Sequence, residues 1–250
     1  MEDVSVGSSS GPRWVFPGDR MERYGPAEGK KLGYGVARHP GGEAVAVACG
    51  RVAARRGRVA VEASTRRYVP ETGHAVVGAV RVRHGESFEV DLGAAGVASL
   101  PMMNFQGATR RNRPSVEVGD VVHARVTRAG RGMETELSCV DAQGQSAGFG
   151  HLKQGLLLRV PLDAARALRA GQNPVLARLG ETIPFSAVVG ANGRVWVHGP
   201  NHAATALLAR AIAASVRLAP PQVEALARRA AGEHLIAGAS QADADDDMEA

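Results

Sequence analysis

Short segments in which apolar and polar residues alternate place the strongest constraint on the fold of this 250-residue chain. In the segment 87–93, Phe88, Val90 and Leu92 alternate with polar residues, and this period of two predicts a strand with one buried face. Further strand-like segments lie at 76–82, 97–100, 121–127 and 134–140. Five short strands with one long insertion before the fourth are typical of a small OB barrel. We expect antiparallel pairing, because parallel strands need long crossovers and no crossover helix is evident.

The regions on either side of the barrel have different patterns. Between residues 14 and 69, short apolar runs alternate with glycine turns, which predicts small β-hairpins. After residue 150, strand-like segments mix with helical ones, and Asn201 is placed to cap a helix. The sequence therefore predicts a multidomain chain, β-rich plus α+β, with an N-terminal β-hairpin domain, an OB β-barrel and a C-terminal α+β domain.

The charge distribution favours a polyanionic partner. The chain has 30 Lys and Arg residues against 25 Asp and Glu residues, and five of the acids lie in the last eight residues. A basic body with an acidic tail is typical of proteins that bind nucleic acid. A genome rich in G and C, which encodes arginine often, is the alternative explanation.

Several classes of protein are excluded by what the sequence lacks. Cys49 and Cys139 are far apart and neither belongs to a CxxC motif, so neither a zinc knuckle nor a disulfide scaffold is expected. The N-terminus does not resemble a secretory signal, and no apolar run approaches the roughly 18 residues of a membrane span. We therefore expect an intracellular, soluble and reduced protein.

No catalytic residue or cofactor is predicted. The chain contains no Walker loop, no GxSxG and no HExxH motif. Glu134 and Glu136 share a strand face, but nothing else converges on them, so no metal site is expected.

Arg110, Arg111 and Arg113 are the candidate RNA-binding residues. They crowd into one irregular loop before the fourth barrel strand, and guanidinium groups bind phosphates in a bidentate manner. A solvated loop, or an anchor for an acidic protein neighbour, is the alternative. Phe88 and Phe105 are candidates for base stacking, although the alternation in which Phe88 takes part favours a place in the core.

The turn from Gly190 to Gly193 is the second candidate feature. A KH domain uses Gly-x-x-Gly because a backbone without side chains can approach a nucleic-acid backbone closely. Here a strand follows Gly193 directly, and Asn192 with Gly193 also suits a tight hairpin turn. A structural turn is favoured over RNA binding, and Trp196, in the strand that follows, is expected in the core.

The combination of these units resembles the RNA-binding cap subunits of the RNA exosome, in particular the ribosomal RNA-processing protein 40 type (exosome component 3; S1-like plus KH family). The resemblance is carried by the segments 15–19, 67–70, 88–93, 98–100, 105–114, 118–120, 148–160 and 190–197. One position departs from that pattern, since Gly73 is followed by His74 where these subunits usually have Asp.

The resemblance implies a role without catalysis. Such cap subunits hold together a ring of ribonuclease-PH-like proteins and line the entrance through which single-stranded RNA reaches a 3′→5′ exoribonuclease. We therefore expect a hetero-oligomer with single-stranded RNA, the ring subunits and other cap subunits as partners, and no membrane. We expect it in the nucleus and nucleolus, and also in the cytoplasm. In the family, the Gly-x-Asn-Gly turn is associated with packing against the S1-like barrel. A scaffold subunit with little RNA contact and a stand-alone S1-type RNA-binding factor are the alternatives.

These inferences divide the chain into five segments. They are a disordered segment at 1–12, an N-terminal β domain at 13–70, an S1-like OB barrel at 71–143, a KH-type domain at 144–236 and an acidic disordered tail at 237–250.

Overall fold

A computed structural model describes most of the chain as two compact units, divided between Thr65 and Arg66. The described residues are 14–21, 31–33, 35–55, 58–62, 67–130, 132–141, 143–218 and 221–233. The predicted disordered segments at 1–12 and 237–250 lie outside these ranges.

The first unit is built of short strands, as its glycine-punctuated apolar runs predicted. They are β1 (Trp14–Val15), β2 (Lys31–Leu32), β3 (Val36–Arg38), β4 (Ala44–Ala46), β5 (Gly50–Arg55) and β6 (Arg58–Glu62). One sheet has the order β1-β5-β6-β2, and β3 pairs with β4 in a separate hairpin. The apolar residues of these strands form a small core around Met21 and Val61.

The barrel of the second unit contains the five predicted strands. They are β7 (Ala75–Arg83), β8 (Ser87–Asp91), β9 (Ala98–Pro101), β10 (Val121–Arg128) and β11 (Thr135–Ser138). Phe88, Val90 and Leu92 are buried in the barrel core, so the alternation identified the inward face correctly.

The barrel is closed by a parallel pair, and the expectation of antiparallel pairing was wrong at this point. The ladder runs β9-β8-β7-β10 and closes through β11, which pairs with β10 in antiparallel and with β9 in parallel orientation. The connection needs no helix because β10 itself, with the long segment 102–120 before it, carries the chain from β9 to β11.

The C-terminal domain combines a three-stranded sheet with helices. The chain reaches it through β12 (Gly150–Leu152), which pairs with the start of β10. The sheet has the order β13-β15-β14, with β13 at Leu156–Arg159, β14 at Ser186–Val189 and β15 at Arg194–His198. The helices are α1 (Leu162–Arg169), α2 (Val175–Gly180), α3 (His202–Ser215) and α4 (221–233).

Local signals explain most of these element ends. The Asn201 side chain accepts a hydrogen bond from the Ala204 N–H at 2.7 Å, as expected of an N-cap residue. The short helix α2 was not predicted, because six residues give too little periodicity to recognise. None of the helices in the described part of the chain is both long and apolar enough to cross a membrane.

Gly78 tests how tightly the barrel is packed. A Cβ atom there would lie 2.2 Å from Cγ1 of Val90 and 3.0 Å from Cδ2 of Leu92. We expect Gly78→Ala to lower the free energy of unfolding by about 1–3 kcal/mol, because overpacking forces core side chains out of their rotamers. Urea unfolding measures the loss. The control is Gly96→Ala, since a Cβ at Gly96 meets no atom within 4 Å. Equal stability of the two variants would contradict this account of the packing.

Candidate nucleic-acid interface

The arginine loop, residues 107–113, is held in a defined shape by its own polar groups. The Thr109 N–H donates to the Asn112 carbonyl at 2.9 Å, and the Asn112 N–H donates to Oγ1 of Thr109 at 2.9 Å. The Asn112 side chain also donates to the Gly107 carbonyl at 3.1 Å. Arg110 and Arg111 therefore lie at the tip of a closed turn, with Arg113 just beyond it.

Phe105 anchors this loop in the barrel core. Its ring lies edge-on to that of Phe88, with the ring centroids 6.1 Å apart, and both residues are buried. Neither ring is accessible to a base, so Phe88 and Phe105 do not form stacking platforms. They instead hold the start of the arginine loop in the barrel core.

The three arginines of the loop are exposed, and none forms an ion pair with any residue in the described part of the chain. Arg128 on the barrel behaves differently, because its guanidinium contacts the Glu136 carboxylate. Unpaired guanidinium groups on a preformed turn are suited to binding phosphate, since no internal salt bridge has to be broken first.

The turn from Gly190 to Gly193 packs against the barrel. Nδ2 of Asn192 donates to the carbonyls of Val77 (2.8 Å) and Leu92 (2.9 Å), and Oδ1 accepts from the Val77 N–H at 3.2 Å. The Ala191 N–H donates to the Ala75 carbonyl at 2.8 Å. The glycines are required here, because a Cβ at Gly190 would lie 2.7 Å from the Val77 nitrogen and Gly193 has φ +73°. In an RNA-binding KH domain, RNA would lie against this turn. Here the barrel backbone occupies that position.

An ion pair reinforces the same junction. Nη2 of Arg194 lies 2.6 Å from Oδ2 of Asp91, and Arg194 is only 3% exposed. Burial raises the pKa of Asp91, but the Gly93 N–H and the Arg194 guanidinium outweigh this effect and hold the pKa below its ordinary value. This pair could not be found from the sequence, because no sequence pattern relates residues that are 103 positions apart.

Trp196 is buried in β15, as expected. Its Nε1 donates to the Gln154 carbonyl at 2.8 Å, so the indole N–H is satisfied. Gly155 lies so close that a Cβ there would be 2.8 Å from Nε1. Trp196 therefore positions the chain before β13 and offers no face to a ligand.

The arginine loop and the Gly190–Gly193 turn contact different segments of the barrel. The turn contacts Ala75 and Leu92, which mark one end of the paired strands β7 and β8. The arginine loop lies beyond Met102, whose N–H donates to the Glu86 carbonyl in the hairpin at the other end of the same strands. Gln106, directly before the loop, also contacts Gln145 and Ser146, in the segment that continues to Gly148, whose carbonyl contacts His123.

His74, the residue that departs from the family pattern, is half-buried beside Tyr68. Its Nδ1 lies 3.0 Å from the Tyr68 hydroxyl, and its Nε2 lies 3.7 Å from Oε2 of Glu71. Burial lowers the pKa of His74, Glu71 acts against this, and Arg169 and Arg166 lower it further. A neutral His74 that accepts from Tyr68 fits this setting. Within the described ranges, no three His, Cys, Asp or Glu side chains converge as a metal site would require.

Comparison with known proteins identifies the family. Residues 68–150 match the model of the S1 domain of exosome complex component RRP40, and residues 155–203 match a KH domain model. Exosome complex component RRP40 of Saccharomyces cerevisiae is 32% identical over 194 residues, which cover 74% of this chain and 80% of that protein. The chain belongs to the RRP40 family.

Other RRP40 proteins match over a shorter part of their length. The Schizosaccharomyces pombe protein is 42% identical over 154 residues, and the human protein is 37% identical over 163 residues. These matches cover 61% and 65% of this chain but only 64% and 59% of the relatives, so the chain spans less than two thirds of either.

A solved structure agrees with the fold. A crystal structure described as an exosome complex RNA-binding protein superposes with a TM-score of 0.57 and 22% identity, covering 68% of this chain and 99% of that one. The predicted architecture of a strand-rich N-terminal region, an S1 barrel and a KH domain is confirmed. The boundaries assigned from the sequence stay predictions, and so do the roles given to Arg110, Arg111, Arg113, Gly190, Asn192, Gly193 and Trp196.

Asn192 tests the junction between the S1 barrel and the KH domain. We expect Asn192→Ala to lower the free energy of unfolding by about 3 kcal/mol, because it leaves buried backbone groups of Val77 and Leu92 unpaired. Urea unfolding measures this, and faster hydrogen exchange of the Val77 amide would locate it. The control is Asn201→Ala, which removes one N-cap bond and costs about 1 kcal/mol. If the two variants lost equal stability, the Asn192 contacts would not hold the junction.

Proposed function

We propose that this chain is a non-catalytic RNA-binding cap subunit of an exosome complex. In this role it stabilises a ring of ribonuclease-PH-like subunits and guides single-stranded RNA towards a 3′→5′ exoribonuclease. Membership of the RRP40 family supports the assembly part of the proposal. The proposal also includes residence in the nucleus, nucleolus and cytoplasm, where such RNA processing and decay take place.

The arginine loop carries the RNA part of the proposal. Three exposed guanidinium groups on a turn fixed by Thr109 and Asn112 can neutralise successive phosphates of a single strand. Contacts to phosphate carry no direct sequence information, so we expect the binding to have low sequence specificity. The S1 barrel presents this loop, while the Gly190–Gly193 turn of the KH domain serves the junction with the barrel.

The state of the chain in a native lysate tests the assembly part. We expect it to elute with a particle much larger than its own 26.0 kDa and to co-purify with ribonuclease-PH-like proteins. A 26.0 kDa monomer that binds RNA by itself would contradict this part and would support a stand-alone S1-type factor.

Substitution of the arginine loop tests the RNA part. We expect Arg110→Ala, Arg111→Ala and Arg113→Ala together to weaken binding of single-stranded RNA about a hundredfold at about 0.1 M salt. The slope of log affinity against log salt should become shallower by about 2, because each lost phosphate contact removes about 0.7. Filter binding over a salt series measures both quantities.

The matched control removes three exposed arginines elsewhere, Arg210, Arg228 and Arg229, which lie on α3 and α4 of the KH domain. This control shows whether a loss of RNA affinity comes from the arginine loop or only from the lower net charge of the chain. If the loop variant kept its RNA affinity and salt slope but lost co-purification with the ring subunits, the loop would be a protein anchor. The RNA part of the proposal would then be wrong.

A further inference from the structure

Helix α1 directs two arginines towards the S1 barrel. Leu162 packs against the barrel core, and a Cβ at Gly193 would lie 3.1 Å from its Cδ2. Arg166 and Arg169 follow Leu162 at i+4 and i+7, so they lie on the same face of the helix. Ala165 and Leu168 instead pack into the KH core. Both arginines are exposed, and both lie close enough to His74, just before β7, to lower its pKa.

The barrel contributes a third arginine to this surface. Val122, Ala124 and Val126 point into the barrel core, so Arg125 between them points outwards. Arg125 lies opposite Ala75 in the β7–β10 ladder, and the Ala75 carbonyl accepts from Ala191 of the KH domain. Nε of Arg125 is shielded from solvent and has no hydrogen-bond partner among the described residues. A buried donor of this kind is costly unless a ligand or water satisfies it.

Two histidines lie in the same cluster. His74 precedes β7, and His123 lies on the outward face of β10, two residues before Arg125. Nδ1 of His123 lies 2.9 Å from the Gly148 carbonyl, and its ring centroid is 4.6 Å from that of Phe149. Burial is the largest cause of the lowered pKa of each histidine, and Arg169 lowers the pKa of both. Arg169 therefore places positive potential on both rings at once.

Negative charge is scarce around this cluster. Glu71 lies beside His74, at 3.7 Å from Nε2. Asp163 directly follows Leu162 in α1, so it lies to one side of the helix face that carries Arg166 and Arg169. None of Arg125, Arg166 and Arg169 forms an ion pair with a residue in the part of the chain that the structure describes.

We propose that Arg125, Arg166 and Arg169, with His74 and His123, form a second phosphate-binding site for the backbone of single-stranded RNA. This inference rests on the proposed function, because it assumes that the chain binds RNA. Its residues are distinct from those of the arginine loop. Gln106, directly before that loop, contacts Gln145 and Ser146, in the segment that continues to Gly148 and Phe149 beside His123.

The composition of the cluster favours RNA over an acidic protein. Its members are cations and half-buried rings, including Phe149 next to His123, and single-stranded nucleic acid is bound by that combination. A protein interface is instead built around a well-packed apolar centre. Arg125 is only half-buried and forms no ion pair with a described residue, so its guanidinium has charge available for a phosphate.

The test compares two double variants of the full chain by filter binding to a single-stranded RNA. Arg166→Gln with Arg169→Gln should weaken binding about ten- to thirtyfold at about 0.1 M salt and reduce the salt slope by about 1.4. The control is Arg210→Gln with Arg229→Gln, which removes the same charge from exposed sites on α3 and α4 and should leave the affinity within about twofold of the parent.

A second measurement reports on the site directly. NMR titration of the His74 and His123 rings, with and without a uridine hexamer, should show a higher pKa for both when RNA is bound, because a phosphate offsets the charge of Arg166 and Arg169. Tyr68 and Glu71 also face His74, and Gly148 and Phe149 face His123; these groups are the same in both titrations. In the Arg166→Gln, Arg169→Gln variant the hexamer should no longer change either pKa.

The outcomes distinguish this inference from the function on which it rests. If the α1 variant binds RNA like its control while the arginine-loop variant loses binding, the second site is wrong and the proposed function stands. If the α1 variant keeps its RNA affinity but loses co-purification with ring subunits, the cluster is a protein contact and the inference is overturned. If the unmodified chain binds no RNA, both fail.

Discussion

The side-chain amide of Asn192 is the contact on which the organisation of the S1 and KH domains depends. It satisfies three backbone groups of the barrel, at Val77 and Leu92, in a place closed to water. A carboxylate in its place would present a charge to two carbonyl oxygens, and a hydroxyl is too short to bridge both strands. The buried pair of Arg194 and Asp91 lies beside it. Together these contacts make two domains with separate cores into one compact unit.

Because of this junction, the Gly-x-x-Gly turn of the KH domain is not free to bind RNA. The Gly-x-x-Gly turn of an RNA-binding KH domain needs free backbone, and here the barrel backbone occupies that position. The RNA binding that we propose is therefore assigned to other surfaces. The structure offers two candidates, the arginine loop and the arginines of α1 with Arg125. The net charge of the chain could not have located these surfaces, because it counts paired arginines such as Arg194 and Arg128 together with unpaired ones.

The fold was largely accessible from the sequence because its strands carry a strong local signal. Phe88, Val90 and Leu92 alternate with polar residues, and Asn201 marks a helix start that the structure confirms. The parallel contact between β9 and β11 was not accessible, because pairing between distant strands depends on closure of the barrel. The candidate site was accessible in part. The crowding of Arg110, Arg111 and Arg113 is visible in the sequence, whereas the proximity of Arg166 and Arg169 to His74 is not.

The sequence by itself determined the order of the three structural units, the inward faces of the barrel strands, the resemblance to exosome cap subunits and the tight turn at Gly190–Gly193. These properties follow from residue types over short windows, where the periods of strands and helices and the conformational freedom of glycine act directly. Tertiary structure alone decided which buried backbone Asn192 contacts, that Arg194 pairs with Asp91, and that His74 lies near Arg166 and Arg169. Those contacts join residues about a hundred positions apart, and only the packing of one domain on another brings them within hydrogen-bond or electrostatic range.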